Sequence, residues 1–277
     1  LGTGKSFSWI TRNLRVPFID ILIGLFYSKQ MISLTRRNFM AGSAAALTIA
    51  AMPVQKVTSA LVLTIDASAS IDYKDYVLQR DSYAAAFQHY SVFDTISLTG
   101  GIAVMVLDWD ERGFIRIPWT RLSTAEDCLL FASQVSRILP PMPKSNLYGS
   151  DYGFGQGAGP GRSQLNTSIE VAIKYSHLMF HKCPWLYDRA VIDISGDGQQ
   201  NINTAFASLA YVRDRAIAAG ITINGIAIPV SGSVDNYDLL DYYHTKVIGG
   251  HGAFALSATT PKDFMLAMRR KISQELV

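Results

Sequence analysis

Val57-Thr58-Ser59-Ala60-Leu61-Val62-Leu63-Thr64-Ile65 runs directly into Asp66-Ala67-Ser68-Ala69-Ser70. The first nine residues carry no charge, glycine or proline, and a short continuous run of this kind reads as a strand buried on both faces. The next five change abruptly to a carboxylate and hydroxyls, which makes an oxygen-rich loop at the strand's carboxyl end.

Outward from this strand, β-branched runs alternate with longer helical stretches. Asp72 to Tyr90 has the spacing of a helix, with Asp72 and Asp75 at its positive end and Tyr76, Tyr83, Phe87 and Tyr90 recurring on one side. Ile102 to Leu107 and Phe114 to Ile117 read as a hairpin turning through Asp110 to Gly113, and Ala125 to Ile138 as a helix. A glycine- and proline-rich loop spans 140 to 163. The pattern then predicts helix 167–180, strand 189–195, helix 204–219, strand 221–228, helix 236–246, strand 253–256 and helix 261–275. Thr260, Pro261 and Asp263 suit the start of the last one. This alternation implies βα crossovers, hence one α/β domain over 57–277: a doubly wound, mainly parallel sheet with helices on both faces.

The chain has 277 residues, 49% hydrophobic and 17% charged, which excludes disorder, collagen and coiled coil. Its net charge of +3 comes from the first 51 residues, where Lys5, Arg12, Arg15, Lys29, Arg36 and Arg37 face only Asp20. The remainder has slightly more acids than bases, so no basic stripe points to nucleic acid. Leu34-Thr35-Arg36-Arg37-Asn38-Phe39, followed by an apolar run of small residues to Ala51, resembles a twin-arginine export signal. Met31 stands where a start would, so residues 31–51 are expected to be the signal and 1–30 an upstream over-extension. The resemblance implies the twin-arginine machinery as one partner and export to the periplasm, or to the exterior of a single-membrane bacterium. Gly2-Thr3-Gly4-Lys5-Ser6 matches the end of a P-loop, but a phosphate cradle needs a strand before it, and the match is read as accidental.

In a doubly wound sheet, ligands bind outside the carboxyl ends of the strands, where strand order reverses. Asp66, Ser68 and Ser70 end the first strand, and Ser195-Gly196-Asp197-Gly198 ends the strand at 189–195. Thr167 opens a helix between them. Oxygen ligands of this kind suit a hard divalent cation such as Mg²⁺, with Mn²⁺ as its substitute. If neutral hydroxyls touch the metal and the carboxylates hold its waters, the metal stays electrophilic and favours a carboxylate from a partner.

This DxSxS, with its separated Thr and later Asp-Gly, resembles the metal-ion-dependent adhesion site of von Willebrand factor A domains. Further stretches resemble a bacterial group of exported A-like proteins of unknown function: Leu78 to Ala84, Val191 to Gly198, Ile221 to Ile228 and Val247 to Phe254. The resemblance implies Asp66, Ser68, Ser70, Thr167 and Asp197 as metal-site positions. It also implies a non-enzymatic binding role towards an Asp or Glu of a protein partner. Ala69 departs from it, standing where glycine is usual. Two other readings compete, a metal-dependent phosphohydrolase and a structural domain with a vestigial site.

Asp193, two residues before Ser195, is expected to be a structural, hydrogen-bonded core carboxylate and not a ligand. Asp108 to Arg112 and Tyr148 to Phe154 are candidate recognition rims. His177 and His181, four residues apart, are attributed to a helix C-terminus, and Cys128 and Cys183 are either paired or separate thiols.

Overall fold

Eight consecutive residues of the first strand, Ser59 to Asp66, are buried, and the second strand is buried along its whole length. The computed structural model describes residues 55–68, 70–71, 73–140, 167–202, 208–228, 236–257 and 261–275, all within the unit Pro53–Val277. Six strands form one sheet: β1 (Lys56–Asp66), β2 (Ile102–Trp109), β3 (Gly113–Leu122), β4 (Leu186–Gly196), β5 (Ile221–Ala227) and β6 (Ala255–Ser257). Their order is β3-β2-β1-β4-β5-β6, every pair parallel except β2 with β3.

The helices are α1 (Tyr73–Phe87), α2 (Tyr90–Thr99), α3 (Ala125–Ser136), α4 (Ile169–Phe180), α5 (Leu209–Ala218), α6 (Asn236–Tyr242) and α7 (Pro261–Glu275). On one face of the sheet, Leu61, Leu63 and Ile65 pack with Tyr83, Phe87, Ile96, Phe131 and Met268 from α1, α2, α3 and α7. On the other, Ala60, Val62 and Ile192 pack with Ile173, Val212, Leu239 and Tyr243 from α4, α5, α6 and the turn after α6. The fold class is therefore the doubly wound one read from the strand pattern.

Four elements differ from the sequence reading. The helix expected over Asp72 to Tyr90 ends at Phe87, and a separate helix α2 follows. Its Ser, Thr, Val and Ile content gives little helical preference, so its ends hold it. His89 Nδ1 accepts from Ser91 N at 3.2 Å, and Gly100, at φ 93°, supplies the left-handed C-terminal turn. Strand β3 extends to Leu122, well beyond Ile117. The helix expected over 236–246 closes with a π turn at Tyr243–Val247. By contrast α3 starts where its sequence suggests, on a reciprocal cap between Thr124 and Asp127. Cys128 and Cys183 are free thiols packed on opposite faces of the sheet.

The topology fixes where a ligand would sit. From β1 the chain winds outward through β2 to β3, then returns by α3 and α4 to start β4 on the other side of β1. Strand order reverses between β1 and β4, whose carboxyl ends carry Asp66 and Gly196-Asp197.

Candidate metal centre

Strands β1 and β4 deliver their acids to this reversal point, and α4 delivers Thr167 from the residues just before it. The five oxygen-bearing residues singled out in the sequence lie in a continuous network here. Ser70 Oγ donates to Asp197 Oδ1 at 2.8 Å, Ser68 Oγ lies 3.2 Å from Ser70 Oγ, and Thr167 Oγ1 donates to Ser68 Oγ at 3.4 Å. Asp66 closes the group from below, its Oδ1 accepting from Ser68 N at 2.8 Å. Ala69 lies outside the described residues.

What remains unsatisfied is informative. Asp66 Oδ2 and Asp197 Oδ2 are buried and have no hydrogen-bond partner. A buried carboxylate oxygen without a partner is costly, and no described Lys or Arg forms an ion pair with either acid. The ionisation behaviour follows. Burial, reinforced by the negative charge of Asp197, pushes the Asp66 carboxyl up to about 8. Burial also raises Asp197, with Asp75 adding to the effect. A divalent cation would remove both penalties, and two carboxylates with three hydroxyls form the oxygen-only donor set that Mg²⁺ takes. No group of three or more His, Cys, Asp or Glu suited to a metal occurs among the described residues.

Several further residues support the site without having been assigned a role in the sequence. Gly196 is needed because a Cβ there would lie 2.7 Å from Tyr243 Oη and 2.9 Å from Asp66 Oδ2. Thr167 is tethered twice by Asn201, whose Oδ1 accepts from Thr167 N at 2.9 Å and whose N donates to Thr167 O at 3.1 Å. Beside it, Gln200 Oε1 accepts from Glu170 N at 2.9 Å, so the loop after β4 fastens the start of α4. Gln79, wholly buried on α1, accepts through Oε1 from Ser195 Oγ at 2.8 Å and from Asp66 N at 3.4 Å. Gln79 and Gly196 fall within the stretches quoted for the resemblance, whereas for Gln200 and Asn201 an amide side chain just after a strand end was the only signal.

The candidate rims fare differently. Asp108 is buried, accepting from Tyr76 Oη at 2.8 Å and pairing with Arg116 Nε at 3.2 Å. Asp110 is buried as well, holding Arg112 N at 2.7 Å. These acids shape the turn and are not surface recognition groups. Glu111 and Phe114 are exposed, with the Arg112 guanidinium 4.8 Å from the Phe114 ring centroid. Residues 148–154 lie outside the described residues. His177 and His181 stack at 5.7 Å between ring centroids. Asp193 is in the core as expected, wholly buried, but it meets Lys271 as an ion pair and neither of its oxygens accepts a hydrogen bond.

Residues 56–151 and 156–277 match the family described as protein of unknown function, DUF1194. The chain belongs to this family. No curated protein matches its sequence. Among solved structures, the DUF1194 chain is similar to a von Willebrand factor type A protein from Catenulispora acidiphila. They share 13% identity at a TM-score of 0.51, over 80% of this chain and 43% of that one. It is also similar to the pilus adhesin SpaC from Lactobacillus rhamnosus GG, with 7% identity and a TM-score of 0.53 over 80% of this chain and 31% of that one. Proximal thread matrix protein 1 from the mussel byssus, solved with zinc in its metal-ion-dependent adhesion site, aligns at 14% identity and a TM-score of 0.49. That alignment covers 79% of this chain and 48% of the other. The DUF1194 chain thus spans less than half the length of each of these proteins, and the likeness to the Catenulispora acidiphila protein establishes a von Willebrand factor A-like fold.

Proposed function

We propose that this chain is an exported, non-enzymatic binding protein that engages an Asp or Glu side chain of a protein partner through a divalent cation. Asp66, Ser68, Ser70, Thr167 and Asp197 hold the cation. The observation that carries this reading is the pair of buried, unpartnered carboxylate oxygens, Asp66 Oδ2 and Asp197 Oδ2, beside three linked hydroxyls at the point of strand reversal. When bound, Mg²⁺ supplies an electrophilic position that a partner carboxylate can complete.

The chain's own residues set the terms of that binding. Two acids among three neutral hydroxyls leave the site with limited negative charge, so an incoming carboxylate is tolerated. Asn201 and Gln200 keep Thr167 in reach, and Gly196 leaves space beside Asp66. Fixed polar geometry on the ends of rigid strands favours recognition of a preformed acidic side chain over closure around a small substrate. Export follows from the arginine pair at Arg36 and Arg37.

Melting of the purified chain in chelator, then in Mg²⁺ or Mn²⁺, with Asp66→Ala alongside, tests the cation. Acetate titrated into the Mg²⁺-loaded protein tests the carboxylate. A metal-dependent rise in Tm that Asp66→Ala lacks, extended by acetate only when metal is present, is expected. No response of the wild type to either metal overturns the reading, and a metal response without an acetate response overturns the carboxylate part of it.

A further inference from the structure

Four residues before Asp197, within β4 itself, lies another buried acid. Val191, Asp193 and Ser195 face α1 and α7, and Asp193 is wholly buried. Lys271 and Glu275, one turn apart on α7, are also wholly buried side chains. Lys271 Nζ contacts Asp193 Oδ1 and lies 3.2 Å from Glu275 Oε1. Asn224, directly opposite Asp193 in the β4–β5 register, donates from Nδ2 to Glu275 Oε1 at 3.0 Å and accepts from Phe254 N at 3.1 Å. Val191, Ile226, Met268 and Ile272 make the rest of this face apolar.

Two properties distinguish the cluster from an ordinary buried ion pair. First, neither oxygen of Asp193, nor Lys271 Nζ, nor Glu275 Oε2 makes a well-formed hydrogen bond. Charges removed from water are stabilised only if their remaining protons and lone pairs are satisfied, and here they are not. Second, burial lowers the Lys271 ammonium to about 8, towards the free amine, against the opposing pull of Glu275. A desolvated amine held against a carboxyl group, with a second carboxylate beside it, has the parts for an acyl transfer within the chain.

We infer that Lys271 and Asp193 join in an intramolecular isopeptide bond, with Glu275 as the proton shuttle. The Lys271 ammonium gives its first proton to the Asp193 carboxylate it touches, which leaves a lone pair on Nζ, and Nζ attacks Cγ of the now neutral Asp193 carboxyl. Glu275 takes a proton from the attacking nitrogen and delivers it to the departing Asp193 oxygen. The Nζ–Cγ bond forms, one Cγ–O bond breaks, and water leaves. Ammonium plus carboxylate thus become a secondary amide plus one water, with no oxidant, reductant or activating group consumed, and Glu275 ends as it began. One positive and one negative charge vanish from the core. The new amide N–H is a donor for Glu275 Oε2, which otherwise has none. Asn224 is not the acyl donor, because its Nδ2 is occupied by Glu275 and the Lys271 amine rests on Asp193. The bond fastens the last helix to the centre of the sheet, and it stands independently of the metal reading.

Peptide mapping by tandem mass spectrometry of the purified full chain, denatured before digestion, decides the matter without any variant. The expected product is a branched peptide joining the segments around Asp193 and Lys271, one water lighter than their sum, with trypsin failing to cut after Lys271. Lys271→Arg and Asp193→Ala should lack the branch, and Glu275→Gln should leave a substantial fraction unjoined. Separate Asp193 and Lys271 peptides of full mass in the wild type would overturn the inference and leave an ion triad. A branch one ammonia lighter, through Asn224, would overturn the assignment to Asp193.

Discussion

Two pairs of buried acids each take one member from β4 or the loop just after it, Asp193 and Asp197, and the chain treats them in opposite ways. Asp193 and Glu275 meet Lys271, a partner supplied from within the fold. Asp66 and Asp197, at the strand ends, have no described Lys or Arg within ion-pair distance, and each keeps an oxygen without a partner. Burying like charges without compensation is unfavourable, so a fold tolerates it only where compensation arrives from outside. One pair is thereby an internal fastening, the other a pair of acids held by neutral donors, Ser68 N and Ser70 Oγ.

If that contrast holds, the largest effect should come from removing the internal partner. Lys271→Met leaves Asp193 and Glu275 buried and unpaired and should cost about 3–5 kcal/mol in denaturant unfolding. The same measurement on Asp66→Asn should go the other way in chelator, with stability rising at alkaline pH because a buried charge has been removed. Next in size is the response to metal. Mg²⁺ at a hundredfold over its Kd should add about 2.7 kcal/mol to the wild type, and nothing to Asp66→Asn.

Titration sharpens the same point. Folding raises the Asp66 carboxyl from 3.8 to about 8, so between those values the folded chain holds a proton that the unfolded chain has released. Metal-free stability should therefore fall as pH rises through this window and level off above it. Melting from pH 4 to 9 should show part of that slope abolished by Asp66→Asn, and no difference between the two proteins would break the comparison. A smaller effect is expected from Asn201→Ala, which releases Thr167. Calorimetric titration should find Mg²⁺ bound roughly tenfold or more weakly. Smallest is Thr124→Ala, remote from both pairs, where loss of the α3 cap should cost ~1 kcal/mol while the metal response stays intact.

The layers of the fold were legible because Val57 to Ile65 of β1 is an uncharged run and Ile102 to Leu107 of β2 an apolar one, as a doubly covered sheet requires. The reach of Asp66, Ser68, Ser70, Thr167 and Asp197 towards one another was legible because strand ends in such a sheet converge. Helix α2 was not, since its hydroxyl and β-branched residues mask the helical period until His89 and Gly100 cap it. Gln79, Gln200 and Asn201 were not either, because a single amide acquires meaning only from tertiary neighbours. Lys271 and Glu275 left a fainter trace. They occupy the same stripe of α7 as Met268 and Ile272, where charged residues are out of place on a core-facing side. The acids of the 108–112 turn misled in the opposite sense, since Asp108 and Asp110 turn inward to Tyr76, Arg116 and the backbone of Arg112.

The sheet's borders carry a last consequence. One border, β6, is only three residues long, and the other, β3, has Pro118 in its middle with Arg116 and Arg121 on either side. Short, charged or proline-bearing edges resist pairing with a foreign strand. The described edges of the sheet therefore offer a foreign strand little to zip onto sideways, which leaves the loops at the strand ends as the more open approach.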